Sequence, residues 1–530
     1  MKRITFIFIF TFCFVSLQAQ VKYERSGSFL LQNEKNVYCD YENFHTAIQP
    51  FNDSLIQKFK PDEKPFDDFF THSKNLSNFI FPQISLNDKY SIENSTNHLN
   101  YSVGLLGDYT LKKRFSFSGN VAFTQFDPVS SVDSFMHRRH VVPGVGWAGK
   151  NKSVYTLPDW RFRAGYQMKG PFYFEAGNAS HFIGDGYRSL FLSENAANYP
   201  YFKVVTTALK FRYMNLWTMM TNVQSNDGKT YAYWRKMNVF HYLSWNITRN
   251  INVGFFESIV AATKDSVSHP MDVSLLNPVI FLQPVNFNNG SPHNALLGGA
   301  FKIRLLKKNI LYGQLLIDDM ITSQIKNDIK HFIHPSDTNI QYGYWTNKQA
   351  LQLGMRIFEP LGLKKFSLLT EVNMARPYTY SHLSTLKNYS HMQQSIAHPL
   401  GSNFTESMTV LRYQYKRWFF ELEAMIASVG IDTGKTHYGQ DIFQTTFDSY
   451  ITGTNNIPVQ QFHNTILQGV RTDIKRLTLK ASWLLDARMN LFISAGCTYR
   501  SQNNFLSNQK DFYFFISLGN VIKAMSEDNL

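Results

Sequence analysis

Cysteine is nearly missing from this chain: there are three in 530 residues, one of them, Cys13, inside an N-terminal apolar run, which leaves Cys39 and Cys497. Two thiols make neither a disulfide framework nor a thiolate metal site, so ordinary burial or a membrane must stabilise the fold. Beyond the N-terminus no stretch approaches the roughly 18 consecutive apolar residues of a membrane-spanning helix. A soluble exported protein and a closed β-barrel remain, the barrel being the other way to cross lipid without orphaned backbone groups. Acidic residues are fewer than basic ones, 39 against 53, so the net charge is +14, or +12 without Lys2 and Arg3. That balance favours anionic partners.

Catalytic signatures are absent as well. There is no G-x-S-x-G elbow and no HExxH helix, and in GVGWAGKN Asn151 stands where a phosphate-binding loop needs Ser or Thr to hold magnesium. His137 and His140, and the group His382, His391 and His398, lack a further ligand at defined spacing, so solvated or stacked histidines are expected, with no metal and no cofactor.

What is present begins with MKRITFIFIFTFCFVSLQAQ: two cations, an apolar run, then small and polar residues around Ala19. This is the layout of a secretory signal peptide over residues 1–19. Cys13 lacks the small residues before it that a lipid anchor requires. An exported chain meets no nucleic acid; anionic lipid headgroups and acidic polysaccharides are the anionic partners left. Aromatic residues make up 15% of the chain, with 46 Phe and 28 Tyr, as suits a barrel with aromatics on its lipid face and in its girdles.

Alternation supports the barrel. Trp160, Phe162, Ala164, Tyr166 and Met168 share one face, and Arg161, Arg163, Gly165 and Gln167 the other; after a Lys-Gly-Pro turn Phe172, Phe174 and Ala176 resume the apolar face. The pattern returns in Phe115, Phe117, Val121 and Phe123, in Trp418 to Ile426 opposite Glu421 and Glu423, and in Leu477 to Leu485 followed by Leu491 to Tyr499. DFYFFISLGNVI adds a last strand, with Phe512, Phe514, Ile516 and Leu518 on one face. Hairpins repeated over some 400 residues predict a transmembrane antiparallel β-barrel of about 16 to 18 strands. Residues 20–98 are polar, with a weak helical period in NFHTAIQPFNDSLIQKF, and read as a small N-terminal periplasmic region; residues 99–530 read as the barrel. The turn at Thr248, Arg249 and Asn250 sets Trp245 opposite Val253, Leu243 opposite Phe255 and His241 opposite Glu257. Two polar residues then meet on an apolar face, which requires a place beyond the membrane band or a bulge that turns them inward.

HFIGDGYRSLFLSENAANYPYFKVV, residues 181–205, breaks the alternation: it is polar and glycine-rich, yet feeds a strand. With HVVPGVGWAGK, FHYLSWNITRNINVGFFES, LLNPVIFLQPVNF, SPHNALLGGAFKI, LYGQLLIDD, ARPYTYSH and AHPLGSNFTE in order along the chain, it resembles the Wzi-type capsule assembly and RemB-like gliding-motility outer-membrane family. The resemblance implies a barrel in the cell outer membrane, closed by inward-folded plug segments, that holds capsular or other surface polysaccharide, or supports gliding and adhesion, without covalent chemistry. The alternative is a channel or a scaffold subunit of a motility or secretion machine. A third class, an outer-membrane lipid hydrolase, requires a Ser-His pair on the outer wall.

Under the first reading the plug and glycan-binding candidates are His181, Asp185, Arg188, Asn195 and Asn198 in the 181–205 segment, and the His241–Glu257 pair. Arg376, Tyr378, Tyr380, His382, His398 and Asn403 join them from a long aromatic and polar loop, since long ordered loops carry function and sugars stack on rings. Asp185 and Arg188 are expected to pair with wall residues, because charges are not buried unpaired.

Overall fold

The computed structural model describes residues 22–23, 28–39, 44–52, 79–112, 114–147, 149–151, 154–225, 231–262, 273–281, 293–433, 437–446, 461–486 and 489–520. The expected leader lies outside the described residues, as do parts of the 43–59 and 275–287 stretches.

Eighteen antiparallel strands close into one barrel. They are β1 (Phe79–Ser91), β2 (Thr96–Leu111), β3 (Phe115–Phe126), β4 (Val154–Gln167), β5 (Phe172–Ala179), β6 (Tyr199–Ala208), β7 (Phe211–Ser225), β8 (Tyr231–Asn246) and β9 (Ile251–Ala262). The circuit continues with β10 (Asn294–Leu305), β11 (Asn309–Asp319), β12 (Lys348–Phe358), β13 (Phe366–Ala375), β14 (Phe404–Tyr415), β15 (Trp418–Ile431), β16 (Val470–Asp486), β17 (Leu491–Asn503) and β18 (Asn508–Gly519). Pairing of β18 with β1, Leu518 opposite Leu86, closes the ring and removes both edges.

The barrel starts at Phe79, about 20 residues before the boundary expected at residue 99. In FIFPQISLNDKYS the outward positions include Pro82 and Asp88, which break the apolar alternation that marks the other strands.

Along the walls the expected faces are the observed ones. Trp160, Phe162, Val121, Phe123, Leu477, Leu479, Phe514 and Ile516 are exposed on the outer face, whereas Arg161 and Arg163 are buried inside. Near one rim, stacked pairs such as Phe211 with Trp245 (5.5 Å between centroids), Phe366 with Tyr413 (4.3 Å) and Trp418 with Phe420 (5.9 Å) form an aromatic girdle. An apolar band with an aromatic border is the surface of a protein seated in the outer membrane.

The two rims differ. At the girdle end, turns such as 209–210, 247–250, 306–308 and 416–417 are short. The other end carries the long connections 127–153, 180–198, 263–293, 320–347, 376–403 and 432–469. Two helices sit on these, α2 (Ser130–Arg139) and α3 (Thr322–Ile333), while α1 (Ser28–Cys39) precedes the barrel and lies at the short-turn rim.

The main core is inside the barrel. Ile183, Leu190, Phe191 and Leu192 from the 180–198 connection and Tyr380, Tyr389, Ile396 and Leu400 from the 376–403 connection pack against Leu216, Phe240, Tyr242, Phe256, Leu296, Leu316 and Met408 of the wall. A Cβ at Gly298 would come within 2.5 Å of the Phe191 ring, so the wall needs a residue without a side chain where this ring is seated.

Candidate functional site

The segment expected to enter the lumen does so. After β5 the chain turns into the barrel, and Phe182–Ile183 pairs antiparallel with Ile48–Gln49 of the N-terminal region. From there the segment's backbone and side chains bond to the wall and to a second inner segment. Glu371 on β13 accepts from the backbone N–H groups of Tyr187 (2.8 Å) and Arg188 (2.9 Å), and from the Tyr312 hydroxyl (2.8 Å). A Cβ at Gly186 would stand 2.6 Å from a Glu371 oxygen, which explains glycine at that point. The Arg188 guanidinium donates to Glu406 on β14 at 3.0 Å, and His398 Nε2 lies 2.7 Å from the other Glu406 oxygen. Asn373 joins the two carboxylates, donating to both at 3.0 Å. Gln314 takes Leu190 N–H (2.8 Å) and donates to Ile183 C=O (3.0 Å), and Gln352 donates to Arg188 C=O (3.0 Å).

Asp185 accepts from Thr46 and lies 3.4 Å from Lys302 on β10. His181 is buried with its ring edge-on to Tyr201 (4.3 Å) and 3.9 Å from Glu175, itself 2.7 Å from Lys203. Asn195 donates to Ser395 C=O (3.0 Å), and Asn198 to Trp160 C=O (3.3 Å). Buried charges are tolerable here because each is paired and hydrogen-bonded.

The short-turn rim is gripped separately. Glu34 of α1 pairs with Arg356 and lies 3.5 Å from Arg412, while Lys35 reaches Glu359 at 2.9 Å. Lys308 also donates to Glu359. These two lysine hydrogen bonds outweigh partial burial and hold the Glu359 carboxyl below its ordinary value of 4.5. At the opposite rim α2 roofs β3, β4 and β18, with Val132, Phe135 and Met136 packed on Phe126, Tyr155, Leu157 and Tyr513. Arg139 ties that roof to Asp441 at 3.0 Å; burial would raise the Asp441 carboxyl, but the guanidinium's charge and hydrogen bond, with the Phe443 N–H and His437, together hold it below its ordinary value.

The aromatic loop is not an open sugar surface. Tyr378 is 1% exposed and Tyr380 not exposed at all. Their hydroxyls donate to His437 C=O (3.0 Å) and Leu190 C=O (2.9 Å). Sugars stack on ring faces, and these faces are inside the protein. Tyr380 does reach the Arg188 segment, but Tyr378 turns to His437 and Gly439, Arg376 lies 3.4 Å from Asp328, and His382 accepts from Ser384 N–H (3.1 Å). Asn403 clamps Gly430 and Gln468 carbonyls at 2.8 Å each. The site expected from these residues is therefore not assembled as a binding face.

His241 and Glu257 do pair, in the register expected, with His241 Nδ1 2.9 Å from Glu257. They are not in the lumen and not in a bulge. Their phase is outward, and segment 273–281 covers them from outside: Phe281 N–H donates to Glu257 (3.0 Å), the Trp217 indole to Leu275 C=O (2.9 Å) and the Tyr213 hydroxyl to Pro278 C=O (2.6 Å). Leu275 packs there on Met237, Val239 and Ile259.

The residues that grip the plug, Glu371, Glu406, Asn373, Gln314, Gln352, Lys302 and Arg356, went unnamed in the sequence. All sit on the inward phase of their strands; except on β14, where Thr405, Ser407 and Thr409 face outward, the outward phase is largely apolar, which is the signal that could have found them. Among the described residues no group of His, Cys, Asp and Glu is arranged to hold a metal.

No family model matches the chain, and no curated protein matches it. Solved structures do. Acinetobacter baumannii OccAB2 is similar with a TM-score of 0.42 at 8% identity, over 83% of this chain and 95% of that one. Pseudomonas aeruginosa OccK8 (OprE) follows at 0.41 and 7%, covering 83% and 97%. P. aeruginosa OccK2 (OpdF), solved in complex with glucuronate, gives 0.40 and 6%, covering 83% and 96%. These are Occ and Opd barrels, not capsule assembly or gliding-motility proteins, so the family resemblance drawn from the motifs is corrected. The polysaccharide-anchoring and motility roles drawn from it are corrected with it, and the tyrosine rings on which sugar stacking relied are buried.

Proposed function

We propose that the protein is a non-enzymatic channel of the outer membrane that admits small anionic solutes past a plug made of its own chain. The observation that carries this reading is the division of the inner wall. The 180–198 segment is held chiefly by β9 to β14, whereas β16 to β18 and β1 to β4 present mainly small polar and basic side chains, among them Asn100, Ser102, Asn120, Thr124, Arg161, Arg163, Arg476 and Arg500, with Asp108 and Asp511 as buried inward carboxylates. Lys480, also inward, keeps 39% of its side chain exposed, which leaves room for water beside the plug. Guanidinium and ammonium groups along a narrow polar passage favour carboxylates. The short turns then face the periplasm and the long connections the exterior, with α2 as a roof over the passage.

Planar-bilayer recording tests it. The purified protein is expected to conduct, to prefer anions in a salt gradient, and to have its current reduced by glucuronate. Arg161→Ala with Arg500→Ala is expected to move the reversal potential toward non-selectivity. Absence of any conductance, with Phe135→Ala to loosen the roof as well as without it, overturns the proposal.

A further inference from the structure

Helix α3 is built inside out. A surface helix ordinarily turns its apolar stripe to the core and its charges to solvent. In TSQIKNDIKHFI the side chains that face the protein are polar: Asp328 accepts from Gly343 N–H (2.6 Å) and lies 3.4 Å from Arg376, and the His331 ring stacks on Tyr342 at 3.5 Å. The apolar ones face away, with Phe332 87%, Ile333 61% and Ile329 54% exposed, and no α3 residue is buried.

The exposed face has two flanks. At about 100° per residue, Ile325, Ile329, Phe332 and Ile333 fall on one side and Lys326 and Lys330 on the other. The helix surface is thus divided three ways among protein, apolar surroundings and cations. The apolar flank continues a surface already described: outward-facing Leu315 and Ile317 on β11 lead through exposed Met320 and Ile321 into α3, with Asp319 the one exposed charge between them.

We infer that α3 lies in the outer-leaflet interface of the membrane, with Ile325, Ile329, Phe332 and Ile333 among the acyl chains and Lys326 and Lys330 against lipid phosphates. The occupant of the face is phosphate-bearing lipid. A helix with an apolar flank and a lysine flank binds membranes in this plane, by buried apolar area together with attraction to anionic headgroups. The three-way division also accounts for the Asp328–Arg376 contact, which fixes the helix to the rim in the one rotation that presents Phe332 to lipid.

The test uses full-length protein in phosphatidylcholine vesicles with and without phosphatidylglycerol. In a background with Cys39→Ser and Cys497→Ser, Phe332→Cys carries an environment-sensitive dye, and Asn339→Cys, in the exposed stretch after the helix, carries the same dye as control. The Phe332 label is expected to be quenched by nitroxide lipids and protected from iodide, and the Asn339 label the reverse. Lys326→Gln with Lys330→Gln is expected to lower the docked-to-free ratio of the Phe332 label about thirtyfold at low salt when phosphatidylglycerol is present. It is expected to leave that ratio unchanged in phosphatidylcholine alone. Iodide quenching of the Phe332 label equal to that at Asn339 overturns the placement. Lipid quenching that ignores the lysines in phosphatidylglycerol overturns the phosphate contact. Heat-modifiable migration of each labelled variant verifies that the barrel is closed.

Discussion

The wall from β9 to β14 and the wall from β16 through β18 to β4 follow the same alternation, with apolar residues outward on both, but their inner faces differ. In the first, Phe256, Leu296, Tyr312, Leu316, Phe404 and Met408 fill the lumen, and Glu371 and Glu406 take backbone and guanidinium donors from a segment far away in sequence. In the second, hydroxyls pair across strands: Thr124 with Ser102 at 3.1 Å, Thr478 with Thr498 at 3.1 Å, Ser494 with Ser482 at 2.9 Å. Strand periodicity decides which side chain points inward. Side-chain size decides whether that side of the lumen is a packed core or a passage.

Breaking the gripped half should have the largest effect. Arg188→Ala leaves the Glu406 carboxylate without its guanidinium, a loss of about 3–5 kcal/mol in plug docking. Protease cleavage within 180–198 is expected to become readily detectable while the barrel keeps its heat resistance in detergent. Phe191→Ala removes a ring stacked at 4.5 Å on Phe256. It should cost about 3 kcal/mol of the same docking and raise conductance, read by hydrogen exchange of the segment and in bilayers. The other half should respond far less: Ser102→Ala deletes one hydroxyl pair, about 1 kcal/mol, visible only as a small shift in thermal unfolding. If Ser102→Ala released the plug as Arg188→Ala does, the two halves would not be distinct.

The smallest effect concerns α1. Because Glu359 ionises below its ordinary value in the folded protein, the hold of Lys35 and Lys308 is complete above about pH 4.5 and is lost as pH falls through the lower folded value. Both lysines are partly exposed, so the contribution is about 0–1 kcal/mol. Glu359→Gln should abolish the acid-dependent part of α1 release, followed by a spin label on the helix.

Much of the barrel was legible in the residues. Trp160 and Phe162 against Arg161 and Arg163, or Phe420 and Leu422 against Glu421 and Glu423, assign faces unaided, and the three-residue turn after Ile247 fixes the register through to His241 and Glu257. The site was less so. Arg188 and Glu406 are 218 positions apart, and no local pattern joins them. The tyrosines of the 376–403 connection were read as exposed because composition carries no information on burial. In fact Tyr389 donates to Phe191 C=O at 2.6 Å and helps hold the plug. Ordered motifs resembled a family for a similar reason: short glycine, asparagine and aromatic-proline stretches suit any segment that must turn into a barrel.

The covered pair on the outer wall bears on how the barrel is made. A carboxylate and an imidazole on the face that meets acyl chains would cost about 2.5–3.5 kcal/mol or more if bare at mid-depth, so the β8–β9 hairpin is unsuited to enter a bilayer alone. Segment 273–281 supplies the missing cover, and it lies between β9 and β10 in the order of synthesis. Hairpin and cover are thus neighbours in the chain, and the polar pair is shielded from acyl chains by a segment made before β10.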